Sequence, residues 1–290
     1  MDSTILSFLA APFAASLILT VIHAYLGVHV VERGVIFVDL ALAQIAALGA
    51  TLALVAEAGG HGGHTVLVYW VSLGFTLVGA AIFATVRAQR SRIPQEAVIG
   101  ISYAVAAAAA ILAMSKAPSE TEHLTGMLVG NILAVSWPEV ARTAALYACV
   151  GAFHYIFRKQ FLAISVNHDR AAERPGLNVR WWDFLFYVMF GFVVTSFVHI
   201  GGVLLVFSYL IVPAVCATYL AHRLLTRLIV GWAIATVASV ISLFVTAQVD
   251  LPIGAAIVCL LGLSLLAVGV FARLRPATHR DASVGRAPSV

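Results

Sequence analysis

The sequence predicts an all-α fold, a polytopic integral membrane bundle crossing a bilayer eight or nine times. Two observations carry this. The chain is 62% hydrophobic and only 10% charged, where a soluble domain carries about 25% charge. And 15 of its 17 Lys and Arg residues fall in alternate gaps between long apolar stretches. A spanning helix needs about 20 mostly apolar residues, and short loops rich in Lys and Arg stay on the cytoplasmic side.

In chain order, the apolar stretches place candidate spans near 5–27, 35–56, 66–86, 97–114, 139–157, 181–199, 202–221, 227–247 and 253–272. The first begins near Ile5 with no basic residue ahead of it, so it reads as a retained span rather than a cleavable signal. Only Gly201-Gly202 separates the sixth and seventh, which leaves a broken or re-entrant arrangement and an eight-span count open. The whole of 1–275 reads as one transmembrane domain, and the polar Gly/Pro/Ser tail 276–290 as a disordered cytoplasmic extension.

The basic gaps hold Arg33; Arg87, Arg90 and Arg92; Arg158, Lys159, Arg170, Arg174 and Arg180; Arg223 and Arg227; and the tail arginines. The opposite side has only Lys116 and Arg142 beside Asp2, Glu57, Glu120, Glu122, Glu139 and Asp250. This predicts an outside N-terminus and a cytoplasmic C-terminus. It also accounts for the basic balance without nucleic acid, since the positive charge marks topology. Cys149, Cys216 and Cys259 lie inside apolar stretches with no metal or disulfide spacing.

Several polar residues sit where polarity is expensive. Asp39 begins the second span and Gln44 lies deeper in it. A carboxylate inside a span faces a cavity or a partner, so Asp39 either lines a polar pathway or pairs with Arg33. The two are about 140° apart around a helix and do not share a face. The outer loop Glu57-Ala-Gly-Gly-His61-Gly-Gly-His64 carries two imidazoles able to reach one cation, a weak site whose nitrogen donors suit zinc. His199, against Gly201-Gly202 at the outer end, is placed to meet solute. His23 and His154 read as packed or interfacial histidines near span ends, and Glu96 and Asp183 as carboxylates that complement the N-termini of their own helices. The inner segment Asn167, His168, Asp169, Arg170, Ala171, Ala172, Glu173, Arg174, Pro175, Gly176, Leu177 predicts a short surface helix, capped by Asn167 or Asp169 and stopped at Pro175-Gly176. It is either a docking element or an unpartnered amphipathic helix.

The chain has no GxxxxGK[ST], no HExxH and no GxSxG. It cannot supply its own nucleotide loop, and the commonest hydrolase sites are missing, so it does not read as an enzyme.

Four stretches occur in a telling order: Gly34 to Gly49; Pro94-Gln95-Glu96-Ala97-Val98-Ile99-Gly100-Ile101; Gly130-Asn131-Ile132-Leu133-Ala134-Val135-Ser136; and Gly201-Gly202-Val203-Leu204 continuing through Ile211-Val212-Pro213 to Leu251-Pro252-Ile253-Gly254. Together they resemble the permease subunit of bacterial zinc/manganese-type ABC importers, over about residues 20–270. The resemblance implies a pair of such subunits in the inner membrane, a cytoplasmic ATPase dimer that holds the ATP, and an extracytoplasmic protein that delivers the metal. It implies no permanently bound cofactor, and it makes Asn167–Leu177 the helix that docks on the ATPase. The metal expected is zinc, with manganese next. One departure stands out. Family members commonly carry Gly-Asp-Ala-Leu-Ser-His in the second span, with Asp and His four apart as metal ligands. Here Leu40 stands at the Asp position, Gln44 at the His position, and Asp39 is displaced by one residue, about 100° around the helix. That keeps open a permease for a metal chelate such as a siderophore. An ion-gradient-driven secondary transporter is the other alternative, though the spans hold few of the buried ionisable groups it would need.

Overall fold

The computed structural model describes residues 3–57, 65–88, 93–115, 132–172, 174–249 and 251–274. The expectations at His61, His64, Asn131 and Glu173 and on the tail lie outside the described residues, as do the side chains of His168, Asp169 and His199.

Among the described residues ten α-helices follow one another: α1 Ser3–Arg33, α2 Val38–Glu57, α3 Thr65–Ala88, α4 Gln95–Met114, α5 Trp137–Ile156, α6 Arg158–Val166, α7 His168–Ala172, α8 Val179–Leu220, α9 Leu224–Val249 and α10 Ile253–Leu274. No strand occurs among the described residues. Among the described residues eight helical stretches are long and apolar enough to span, and a ninth is reached if α5 and α6, bent by 77° at their junction, count as one. The fifth predicted span is therefore the irregular one. Its polar Glu139, Arg142 and His154 dilute its apolar length.

Helix α1 runs one and a half turns beyond the predicted end of the first span, because Val28 and Val30 stay buried and nothing breaks the helix until Gly34. Gly34 has φ 66°, a left-handed value that suits glycine and stops the helix. Helix α5 begins on a capping box. The Glu139 carboxylate accepts from the Ser136 amide at 2.8 Å and from its hydroxyl at 2.6 Å. This gives the Ser136 that closes the third sequence stretch a structural role.

Helix α8 is a hairpin of two arms, Val179–Val198 and Ile200–Leu220, turning at Gly202 with φ 74° and ψ 159°. The fold-back follows from its neighbours. Asp183 in the first arm meets Arg33 of α1, while Leu210 in the second meets Gly27 of the same helix, six residues away. A straight helix would hold Asp183 and Leu210 about 40 Å apart. The hairpin packs on α1, α2, α3, α9 and α10 and supplies the centre of the core, with Phe186, Tyr187, Phe190, Phe197 and Tyr209 all fully buried. Helices α4 and α10 lie at the periphery and expose Ile111, Leu112, Leu263 and Leu266, as a lipid-facing surface does.

Gly27 is the point of closest approach between α1 and α8. A Cβ there would run into the Leu210 carbonyl oxygen, a backbone atom that cannot swing aside. Gly27→Ala is therefore expected to destabilise the bundle by about 1–3 kcal/mol. Thermal unfolding of the purified variant in detergent checks this, and an unchanged midpoint would refute the contact.

Candidate functional site

One end of the bundle carries a buried charged layer. Arg33 at the end of α1 donates to Asp183 Oδ1 at 2.6 Å, and Arg87 Nε from the end of α3 lies 3.4 Å from Asp183 Oδ2. The Arg33 and Asp183 side chains are wholly buried. Arg33 Nε also donates to the Ser165 hydroxyl of α6 at 2.9 Å, which His29 Nδ1 meets at 2.8 Å. A further pair, Arg227 with Glu32, joins α9 to α1 at the same end. Asp183 is thus the shared counter-ion of two arginines rather than a complement to its own helix terminus. The alternative pairing of Arg33 with Asp39 is not formed.

Asp39 lies further into the bundle. Gln95 at the start of α4 donates to the Tyr187 hydroxyl at 2.9 Å and the Phe83 carbonyl at 3.1 Å, one turn beyond Asp183 along α8. Next to it the Glu96 carboxylate faces the backbone amides of Ile36 and Phe37, just ahead of α2. It therefore serves the N-terminus of α2, where a carboxylate is favourable. Asp39, in the first turn of α2, is wholly buried, and neither carboxylate oxygen has a hydrogen-bond partner. Gln44 is buried too, on another face of the same helix. Among the described residues no group of three or more His, Cys, Asp or Glu side chains converges as a metal centre.

Two further buried polar residues are not singled out as site residues by the sequence. Tyr147 of α5 is buried and donates to the Val193 carbonyl at 3.2 Å. His23 of α1 packs edge-on against the Tyr147 ring, with centroids 5.9 Å apart. The sequence places His23 toward a span end, but the extra length of α1 carries it into the interior, where it is 1% exposed. A signal was present: Ser16, Thr20 and His23 fall at helical spacing on one side of an otherwise apolar span, and all three are buried.

Within the inner segment the described residues form one short helix, α7. Asn167 caps α7, its side chain accepting from the Arg170 amide at 3.0 Å. Arg170, Ala172, Arg174, Pro175 and Gly176 are exposed, and Gly176 has φ 80°. The helix itself is only five residues long and directly follows the short helix α6. Ser165 ties α6 to the charged layer immediately before α7.

A family model described as the ABC 3 transport family matches residues 6–272. The chain belongs to that family. This family member is similar to the manganese transport system membrane protein MntC of Listeria monocytogenes, 27% identical over 259 residues, covering 87% of this chain and 86% of the relative. It is similar at 26% over 251 residues to the manganese import system permease protein ScaB of Streptococcus gordonii, covering 87% and 86%. Its fold matches PsaBC from Streptococcus pneumoniae, solved in complex with Fab, with a TM-score of 0.74 at 24% identity over 92% of this chain and 95% of that one. The family member is a multi-span membrane transport subunit, and the resemblance read from its motifs holds.

Proposed function

We propose that this chain is the permease subunit of an ATP-driven importer of a divalent metal ion in a bacterial inner membrane, with manganese as its first substrate. The observation that carries this is Asp39, a wholly buried carboxylate with both oxygens unpartnered, in the first turn of α2. Such a group is costly unless it faces a pathway. Its carboxylate offers oxygen donors, which suit manganese better than zinc. The names of the relatives point the same way, whereas the zinc preference rests on the outer-loop imidazoles alone. A site of so few donors releases what it binds, as a conduit must. His61, His64 and His199 would then serve capture at the outer face, where a binding protein delivers the ion.

The chain would act as a homodimer on a cytoplasmic ATPase pair, with ATP held by those partners and the N-terminus outside. The exposed turn from Asn167 to Leu177 is the docking element. Reversing Arg170 and Arg174 together to Glu is expected to cut coupled transport about tenfold or more, read as uptake per ATP hydrolysed. Unchanged coupling would remove the docking assignment.

The deciding experiment reconstitutes the chain with its ATPase and binding protein in liposomes and follows radioactive manganese, iron(II) and zinc. ATP-dependent manganese accumulation is the expected result. Hydrolysis with no free metal accumulated would point to a chelate, and accumulation without the ATPase to a gradient-driven carrier.

A further inference from the structure

Arg33 closes a loop in the chain. Its Nε donates to the Ser165 hydroxyl near the end of α6 at 2.9 Å, and its Nη1 donates to Asp183 Oδ1 near the start of α8 at 2.6 Å. These two acceptors flank the segment that holds α7 and the turn at Gly176. One buried guanidinium thus grips both feet of that segment, and its planar fork suits two acceptors at once. The Ser165 hydroxyl also lies 2.8 Å from His29 Nδ1. A guanidinium only donates, so the Ser165 oxygen accepts from Arg33 and its own proton is left for His29. His29 precedes Arg33 by about one turn, so both hold Ser165 from one face of α1.

Aromatic packing stiffens the same footing. The Arg33 guanidinium lies 3.8 Å over the Phe186 ring of α8. Trp182 packs on Phe157 and Phe161, with centroids 5.1 and 5.4 Å apart, and so joins the start of α8 to α6 and its junction with α5. Arg87 meets the same Asp183 from the end of α3, and Arg227 holds Glu32 and the Ala221 carbonyl, so neither of these pairings involves α6.

In the other direction, only residues 34–37 separate Arg33 from α2. That link is held by its own backbone. Gly34 and Val35 donate back to the Val31 and Val30 carbonyls at 3.1 and 3.2 Å, and Val38 donates to that of Val35 at 3.1 Å. The first turn of α2 then carries Asp39. A shift at Ser165 therefore has a short route to Asp39, through one side chain and one tightly bonded turn.

We propose that Arg33 is the positioning residue that transmits movement of the cytoplasmic docking segment to the Asp39-bearing start of α2, with the Ser165 hydroxyl as its contact. This rests on the readings of that segment as the ATPase docking element and of Asp39 as part of the metal path.

The test uses the full complex of chain, ATPase and binding protein in liposomes, with manganese as the probe. The variants are Ser165→Ala, which removes the contact, Ser165→Thr, which keeps a hydroxyl, and Arg33→Lys, which keeps a charge for Asp183 but lacks the fork. ATPase binding, ATP hydrolysis and manganese uptake per ATP are measured. Ser165→Ala and Arg33→Lys are expected to bind the ATPase and hydrolyse ATP at parental levels, with uptake per ATP lower by about tenfold, the scale of one lost hydrogen bond to a charged group. Ser165→Thr should couple as the parent does. The double variant Ser165→Ala/Arg33→Lys should lose no more than the worse single one, because both remove the same contact. A purely structural role would lower assembly or hydrolysis and leave uptake per ATP unchanged, and that result would overturn the proposal. So would parental uptake per ATP in Ser165→Ala, or losses that multiply in the double variant. The underlying readings fail elsewhere: parental coupling after reversal of Arg170 and Arg174 removes the docking element, and parental uptake in Asp39→Asn removes the path.

Discussion

Asparagine in place of Asp183 is expected to cost the fold about 3–5 kcal/mol, because it leaves two buried guanidinium groups without their shared counter-ion. Removing one partner of a buried pair is far worse than removing the pair, since the charge left behind has neither water nor a partner. The thermal midpoint in detergent should fall by on the order of 10 °C. Replacing Arg33, Arg87 and Asp183 together by Met, Met and Leu should recover most of that loss. The single variant should also loosen the inner segment, because Ser165 is held by Arg33. Faster proteolysis between α6 and α8 reads this out. A single variant as stable as the parent would show that the layer is solvated and the ion pairs weak.

Replacing Asp39 by asparagine should have the opposite sign on stability and the larger effect on activity. The carboxylate has no hydrogen-bond partner and no exposure, so neutralising it removes a penalty of about 2–3 kcal/mol. The variant should unfold at a higher temperature than the parent. Its metal uptake should nevertheless fall about tenfold or more, since a neutral amide holds a divalent ion far less well than a carboxylate. Stability gained where activity is lost marks a group retained for function. A drop in both would make Asp39 a structural residue with an unseen partner.

Much of the architecture is legible in the sequence because it is written in local composition. Apolar length sets the spans, alternating Lys and Arg set which ends lie together, and Gly201-Gly202 announces the turn of α8. The short helix capped by Asn167 and the turn at Gly176 follow from local capping and turn chemistry. The site is less legible. Arg33 and Asp183 are 150 positions apart, and nothing in either neighbourhood specifies the other, so Asp183 reads as a helix-end carboxylate. The depth of His23 depends on how far α1 continues past the first span, which in turn depends on burial of Val28 and Val30 by other helices. Asp39 is visible as an oddity from its residue type alone. That it lacks any partner emerges only when α3, α4 and α8 close around α2.

The turn at Gly202 also bears on how the chain enters the membrane. Two spans that share a two-glycine connection carry almost no polar chain across the bilayer between them. Arg180 flanks one arm and Arg223 and Arg227 the other, and all three fall at the end of the bundle that holds the Arg33–Asp183 pair. The arms are therefore suited to insert together as one helical hairpin, anchored by positive charge at both feet. Lengthening this turn with polar residues would turn a pair that enters at once into two segments that must be threaded in succession.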